Sequence, residues 1–205
     1  YKLKQIALRA LEKKNSNTSL TALSFAAETL YMFNQFYTDD KLEEITAQVG
    51  DELKAKYHFA SYDKARDCIL LYDGFGLDTR GVVLMYLNAL GKNGYKVHYV
   101  TNWKVKDQIP TIKNLCEKYN IQMSYIDMTH YERWCVQLAQ VFENIRPRTA
   151  FFYTTPFDSS ACAAFHMYEG LCKRFLIDLT DHAYWLGKCA NDFFLGSREM
   201  SAYIQ

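Results

Sequence analysis

Three polar clusters interrupt the apolar runs of this chain, and each carries residues able to do chemistry. The first reads Asp73-Gly74-Phe75-Gly76-Leu77-Asp78-Thr79-Arg80-Gly81. Gly74 and Gly76 let a backbone come close to a phosphate or a sugar hydroxyl. A helix opening after them offers unpaired N–H groups to an anion, with Asp78 or Arg80 directed at the ligand. The same residues also suit a tight turn and an ordinary Asp or Thr cap. The second cluster, Tyr153-Thr154-Thr155-Pro156-Phe157-Asp158-Ser159-Ser160, places hydroxyls where another helix begins. Thr155, Asp158 and Ser159 could meet a polar ligand there, or Asp158 or Ser159 could simply cap that helix. The third, Asp178-Leu179-Thr180-Asp181-His182, ends an apolar run in two carboxylates and an imidazole. Histidine titrates near neutrality and could hydrogen-bond a substrate or a leaving phosphate. A capped turn with a buried, satisfied histidine is the plainer alternative.

The elements needed to bring these clusters together are legible as an alternation. Cys68–Tyr72 is a short apolar run suited to a strand buried on both faces. A helix follows over about Thr79–Asn93, closed by Gly94. Strands are expected at Lys96–Thr101, Ile121–Ile126, Thr149–Tyr153, Phe175–Leu179 and, more weakly, Phe193–Leu195. The intervening helices are Lys106–Lys118, with Pro110 in its first turns, His130–Ile145 and Ser159–Glu169. Another is expected to open at Ser197. Such alternation implies βαβ units, a parallel sheet and a Rossmann-like α/β fold with helices on its flanks. All three clusters then fall at the carboxyl ends of strands, the edge where open α/β sheets bind ligands.

Residues 1–60 differ in kind. Leu3, Ile6, Ala7, Ala10 and Leu11 recur at helical spacing, and Leu20–Phe36 repeats the pattern. Asp39-Asp40 opens a third helix running to about Tyr57. The expectation is a helical N-terminal extension over 1–60, devoid of chemical motifs and suited to packing or docking, and a Rossmann-like unit over 61–205.

Composition narrows the partners. A formal net charge of +1 gives no bulk field for nucleic acid or an anionic membrane. The 16 Tyr and 13 Phe occupy apolar periodic positions, which favours core packing over a stacking platform for nucleic acid. The six cysteines form no CxxC pair and no metal-ligand spacing, so they read as reduced core residues of a cytoplasmic protein with no metal site. No run is long enough to span a membrane. His98 and His166 sit in strand and helix patterns and read as structural; His58 and His130 flank element boundaries and read as solvated. The missing Met at position 1 suggests a trimmed chain.

Known ligand motifs are mostly excluded. The dinucleotide fingerprint needs G-x-G-x-x-G and an acidic end to the second strand. Here Gly81 lies two residues too far, and the second strand ends Thr101-Asn102-Trp103-Lys104. There is no P-loop Gly-Lys-Ser/Thr and no G-x-S-x-G elbow.

The stretches ILLYDGFGLDTRGVVLMYLNALGKNGYKVHYVT, FLIDLTDHAYWLG and NDFFLGSREMSAYI together resemble the N-terminal half of GT-B glycosyltransferases, in particular bacterial enzymes that build capsular and other surface polysaccharides. The resemblance covers about residues 66–205. It implies two Rossmann-like domains across a cleft, the N-terminal one on the acceptor side and the C-terminal one holding the nucleotide-sugar. It implies transfer from a nucleotide-diphospho-sugar to a saccharide or lipid-linked acceptor, with no cofactor beyond that donor substrate and no metal dependence. Peripheral contact with the inner face of the membrane fits such an acceptor. By the same matching, the Gly74–Gly81 turn approaches the donor phosphates or the transferred sugar. His182 and then Asp181 contact the reacting sugar, and Asp178 belongs to the same strand end. An inverting route would need a general base, for which Asp158, Asp181 and His182 are the candidates. The donor domain with its paired glutamates is expected beyond Gln205, so this stretch alone is expected to be inactive. The rival reading is a non-enzymatic regulatory or scaffold domain whose helical extension docks a partner.

Overall fold

A computed structural model describes residues 2–33, 37–178 and 183–196. Six strands form one sheet: β1 Arg66–Asp73, β2 Val97–Asn102, β3 Gln122–Ile126, β4 Pro147–Tyr153, β5 Lys173–Ile177 and β6 Phe193–Leu195. Their order is β3-β2-β1-β4-β5-β6, and every neighbouring pair is parallel. This is the doubly wound Rossmann order, which reverses direction between β1 and β4. Asp73 lies in register with Thr101 on one side and Tyr153 on the other, so three strands end level at that switch point.

Alternation along β1 divides the core into two layers. Leu71 faces helices α4 (Gly81–Lys92) and α5 (Pro110–Lys118), where Val83, Leu87, Ile112 and Cys116 are buried. Leu70 and Tyr72 face the opposite layer. That layer holds α6 (Tyr131–Ile145) and α7 (Ser159–His166). It also holds the N-terminal helices α1 (Lys2–Glu12), α2 (Ser16–Phe33) and α3 (Asp40–Lys56). Leu20, Leu23, Leu42, Ile45, Val49 and Leu53 share this one cluster with Phe152 and Phe165. The helical N-terminal segment therefore shares a core with the sheet. Buried hydrogen bonds reinforce it: Ser159 Oγ donates to the Leu20 carbonyl at 2.7 Å, and Glu43 accepts from Gly187 N at 2.9 Å and Cys189 N at 3.0 Å.

Several boundaries follow local chemistry. Asp39 caps α3 by accepting from Lys41 N and Leu42 N. Pro110 occupies the first turn of α5, and Gly94 adopts φ +74° after α4. Other bounds differ from the sequence expectation. Helix α5 begins at Pro110 rather than Lys106, because a residue before proline is disfavoured in the helical region. A single 3-10 turn, Trp103–Val105, fills the gap. Helix α7 stops at His166, and tight bonds such as Glu169 N to His166 O carry the chain into a turn at Gly170, φ +72°. The six cysteines are free, and Cys116, Cys135, Cys162 and Cys172 are buried. Of the expected structural histidines, His98 shares a 2.7 Å hydrogen bond with Ser124 Oγ, and burial lowers its pKa. His166 lies 3.4 Å from Asp51. Among the described residues no helix is long and apolar enough to cross a membrane.

Candidate functional site

The β1–α4 loop is shaped by a buried carboxylate. Asp73 accepts from Phe75 N and Gly76 N at 3.0 Å each and from the Tyr99 hydroxyl at 2.6 Å. Burial pushes its pKa up, against the pull of those donors. Thr101 Oγ1 donates to the Asp73 carbonyl at 2.8 Å, tying β2 to the same turn. Both glycines are needed for contacts within the protein. A Cβ on Gly74 would lie 2.0 Å from Thr154 Oγ1. One on Gly76, at φ +58°, would lie 2.7 Å from Val105 Cγ2. The turn is thus wedged between the ends of β4 and β2, with Gly74 N donating to Tyr153 O at 2.8 Å.

Asp78 does not cap the helix that follows it. Its carboxylate accepts from Ile112 N at 2.8 Å and Thr111 N at 3.0 Å, so it caps α5 instead. Burial pushes its pKa up, but these donors more than offset that and leave it lowered. Helix α4 is left with Arg80 at its N-cap and no side-chain cap. Gly81 is exposed and a Cβ there would meet nothing within 4 Å. The Arg80 guanidinium stacks 4.0 Å over the Phe75 ring, which packs 4.9 Å from Tyr153. Arg80 has no carboxylate partner among the described residues. The buried Tyr153 hydroxyl makes no hydrogen bond of ordinary geometry among the described residues, and the Arg80 guanidinium is its polar neighbour. An open helix start and a cation therefore stand together at the switch point. Chemically this suits an anion with several oxygens.

The β4–α7 loop is built differently. Asp158 is the N-cap of α7, accepting from Ala161 N at 2.9 Å, Thr154 Oγ1 at 2.7 Å and the Tyr72 hydroxyl at 2.8 Å. Tyr72 in turn accepts from Trp134 Nε1 at 3.0 Å. Asp158 is fully enclosed, and burial raises its pKa to about 6. It lies below the rim with its lone pairs engaged. Ser159 also faces inward, toward α2. Thr155 is half-buried, and its carbonyl accepts from Asp158 N. Asp178 follows the end of β5, half-buried, with its N–H donating to Leu195 O. Asp181 and His182 lie outside the described residues, as does the stretch from Ser197.

The structure thus brings Gly74, Gly76, Arg80 and Thr155 to the carboxyl edge around β1 and β4, while Asp78, Asp158 and Ser159 hold helices in place. Sequence reasoning missed Tyr72 and Tyr99, which look like ordinary strand residues, and gave no role to Asp73 and Tyr153, which open the first two clusters. The only available sign was a carboxylate directly abutting an apolar strand. Among the described residues, no group of three or more His, Cys, Asp or Glu could hold a metal ion. Neither models of known protein families nor curated protein sequences match the chain.

Proposed function

We propose that the chain is the acceptor-side domain of a glycosyltransferase that moves a sugar from a nucleotide-diphospho-sugar to a saccharide or lipid-linked acceptor in polysaccharide synthesis. The resemblance of residues 66–205 to GT-B enzymes motivates this reading. The observation that carries it is the uncapped start of α4, with Arg80 and open Gly81 beside the β1/β4 switch point. The departing group of such a reaction is a nucleoside diphosphate, and catalysis rests on positioning and on stabilising its growing charge. The α4 N–H groups and Arg80 would serve that charge. Asp181 and His182 are the residues proposed to contact the reacting sugar. The enclosure of Asp158 argues against its use as a general base. Peripheral contact with the inner face of the membrane, where a lipid-linked acceptor would lie, belongs to the same reading.

Titration calorimetry with UDP, GDP and inorganic pyrophosphate tests the phosphate site. At least one should bind, and Arg80→Ala should weaken it by about tenfold, the value of one charge-assisted contact. Gly81→Ala should weaken it too, by filling the space above the helix start, while leaving thermal stability nearly unchanged. Binding that ignores both substitutions would remove the support drawn from this site. Transfer by a chain that includes the sequence beyond Gln205, with His182→Ala as control, tests the reaction itself.

A scaffold reading has one observation in its favour. Phe25, Met32 and Phe33 lie exposed along one side of α2, Met32 at 71% and Phe33 at 74%. Such a stripe suits a docking partner.

A further inference from the structure

We infer that Trp103 is a stacking platform for a pyranose ring of the saccharide acceptor, a subsite that rests on the transferase reading for its role but can be tested without it. Three observations converge. First, Trp103 is 52% exposed directly after the carboxyl end of β2, on the edge where the β1–α4 turn lies. Second, Trp103 has a held backbone and a polar neighbour at its indole. It opens the 3-10 turn Trp103–Val105, which Asn102 Oδ1 caps by accepting from Lys104 N at 3.1 Å. Its indole also lies close enough to Asp127 to help lower that carboxyl's pKa. Asp127 accepts from Thr129 Oγ1 at 2.5 Å, Thr129 N at 3.0 Å and Arg133 at 3.1 Å, and is held at about 2. It is therefore ionised throughout the physiological range, a fixed negative charge beside the indole. No other aromatic ring covers Trp103 among the described residues. Third, the position adjoins the switch-point loop, because Val105 of the same turn packs against Gly76.

A half-exposed indole offers a flat apolar face. The axial C–H groups of a pyranose lie on such a face, while its equatorial hydroxyls point outward to polar neighbours. Asn102 retains a free amide N–H₂, and Lys104 forms no ion pair among the described residues. Both sit beside Trp103 in the chain and can serve those hydroxyls. With the diphosphate drawn to the α4 start, the neighbouring strand end is left to the second substrate.

The test uses the 15N-labelled 205-residue chain. Its three tryptophans give three indole N–H signals, and Trp103→Phe identifies the relevant one. Cellotriose, maltotriose and chitotriose are titrated separately, with uridine and UDP as a second arm. At least one trisaccharide should move the Trp103 signal and leave those of Trp134 and Trp185 in place. Saturation-transfer measurements should then show affinity lost by about tenfold in Trp103→Ala and kept within about threefold in Trp103→Phe. No movement with any trisaccharide at about 20 mM, the weak end of specific binding, overturns the inference. So does equal affinity in Trp103→Ala, or a response to uridine or UDP alone. Failure of diphosphate binding at Arg80 leaves a trisaccharide response intact, so the two readings fail separately.

Discussion

At Asp158 burial outweighs hydrogen bonding. Enclosure raises its pKa to about 6, even though Thr154, Ala161 and Tyr72 all donate to it. It binds a proton more tightly folded than unfolded, where carboxyls titrate near about 4. Its contribution to stability is therefore fully present below about pH 4 and declines as pH rises toward 6. Asp158→Asn keeps the cap oxygen and removes the titration. Relative to the parent chain, this variant should gain stability steadily between pH 4 and pH 6.5, read as the urea midpoint. A constant difference across that range would show that Asp158 stays ionised. Asp158→Ala leaves α7 uncapped and the Tyr72 and Thr154 hydroxyls without their acceptor, so it should cost about 3 kcal/mol at pH 7.

Among elements, α5 shows how a cap can come from far away in sequence. Asp78 reaches its first turn across 33 residues to Thr111 and 34 to Ile112. Asp78→Ala should lower stability by about 1 kcal/mol and speed amide exchange at Thr111 and Ile112, leaving α4 as it was. Because the Asp78 pKa is lowered on folding, this contribution exists above the unfolded carboxyl range and disappears as pH falls through the folded value. The same element marks what the sequence could reveal. Strand and helix existence followed from apolar runs and 3.6-residue spacing, and Asp39, Gly94 and Pro110 were legible because their effect is local. Asp78 was not, since a carboxylate directly before the expected helix start at Thr79 looks like that helix's own cap. The Gly74 and Gly76 signal was legible as close approach, but the partners are Thr154 and Val105, which only the tertiary fold supplies. Asp73 and the Tyr72–Asp158–Thr154 network stayed hidden because neither tyrosines in apolar strands nor one polar end residue carries a spacing rule.

At the scale of the molecule, the N-terminal helices complete the layer that covers Tyr72, Phe152 and Phe165. A chain beginning at residue 61 loses the fully buried Leu20, Leu23, Leu42, Ile45, Val49 and Leu53. At about 1.5–3 kcal/mol each, the six together contribute about 9–18 kcal/mol, as much as the whole usual stability of a domain, about 5–15 kcal/mol. The truncated chain should therefore not fold, and a native-like near-ultraviolet circular dichroism spectrum from it would contradict the shared core. Arg174 adds a second brace nearby, paired with Asp192 at 2.7 Å and donating to the Phe165 carbonyl at 3.2 Å.

The bond from Ser159 to the Leu20 carbonyl spans 139 residues, and that from Glu43 to Gly187 spans 144. During synthesis the first helices leave the ribosome long before the surfaces they will cover exist. At about 5–20 residues per second, the wait for α7 is roughly 7–28 seconds. For that interval the leucines of α2 and α3 are presented to solvent on a tethered nascent chain, and a holding chaperone is the natural company for them.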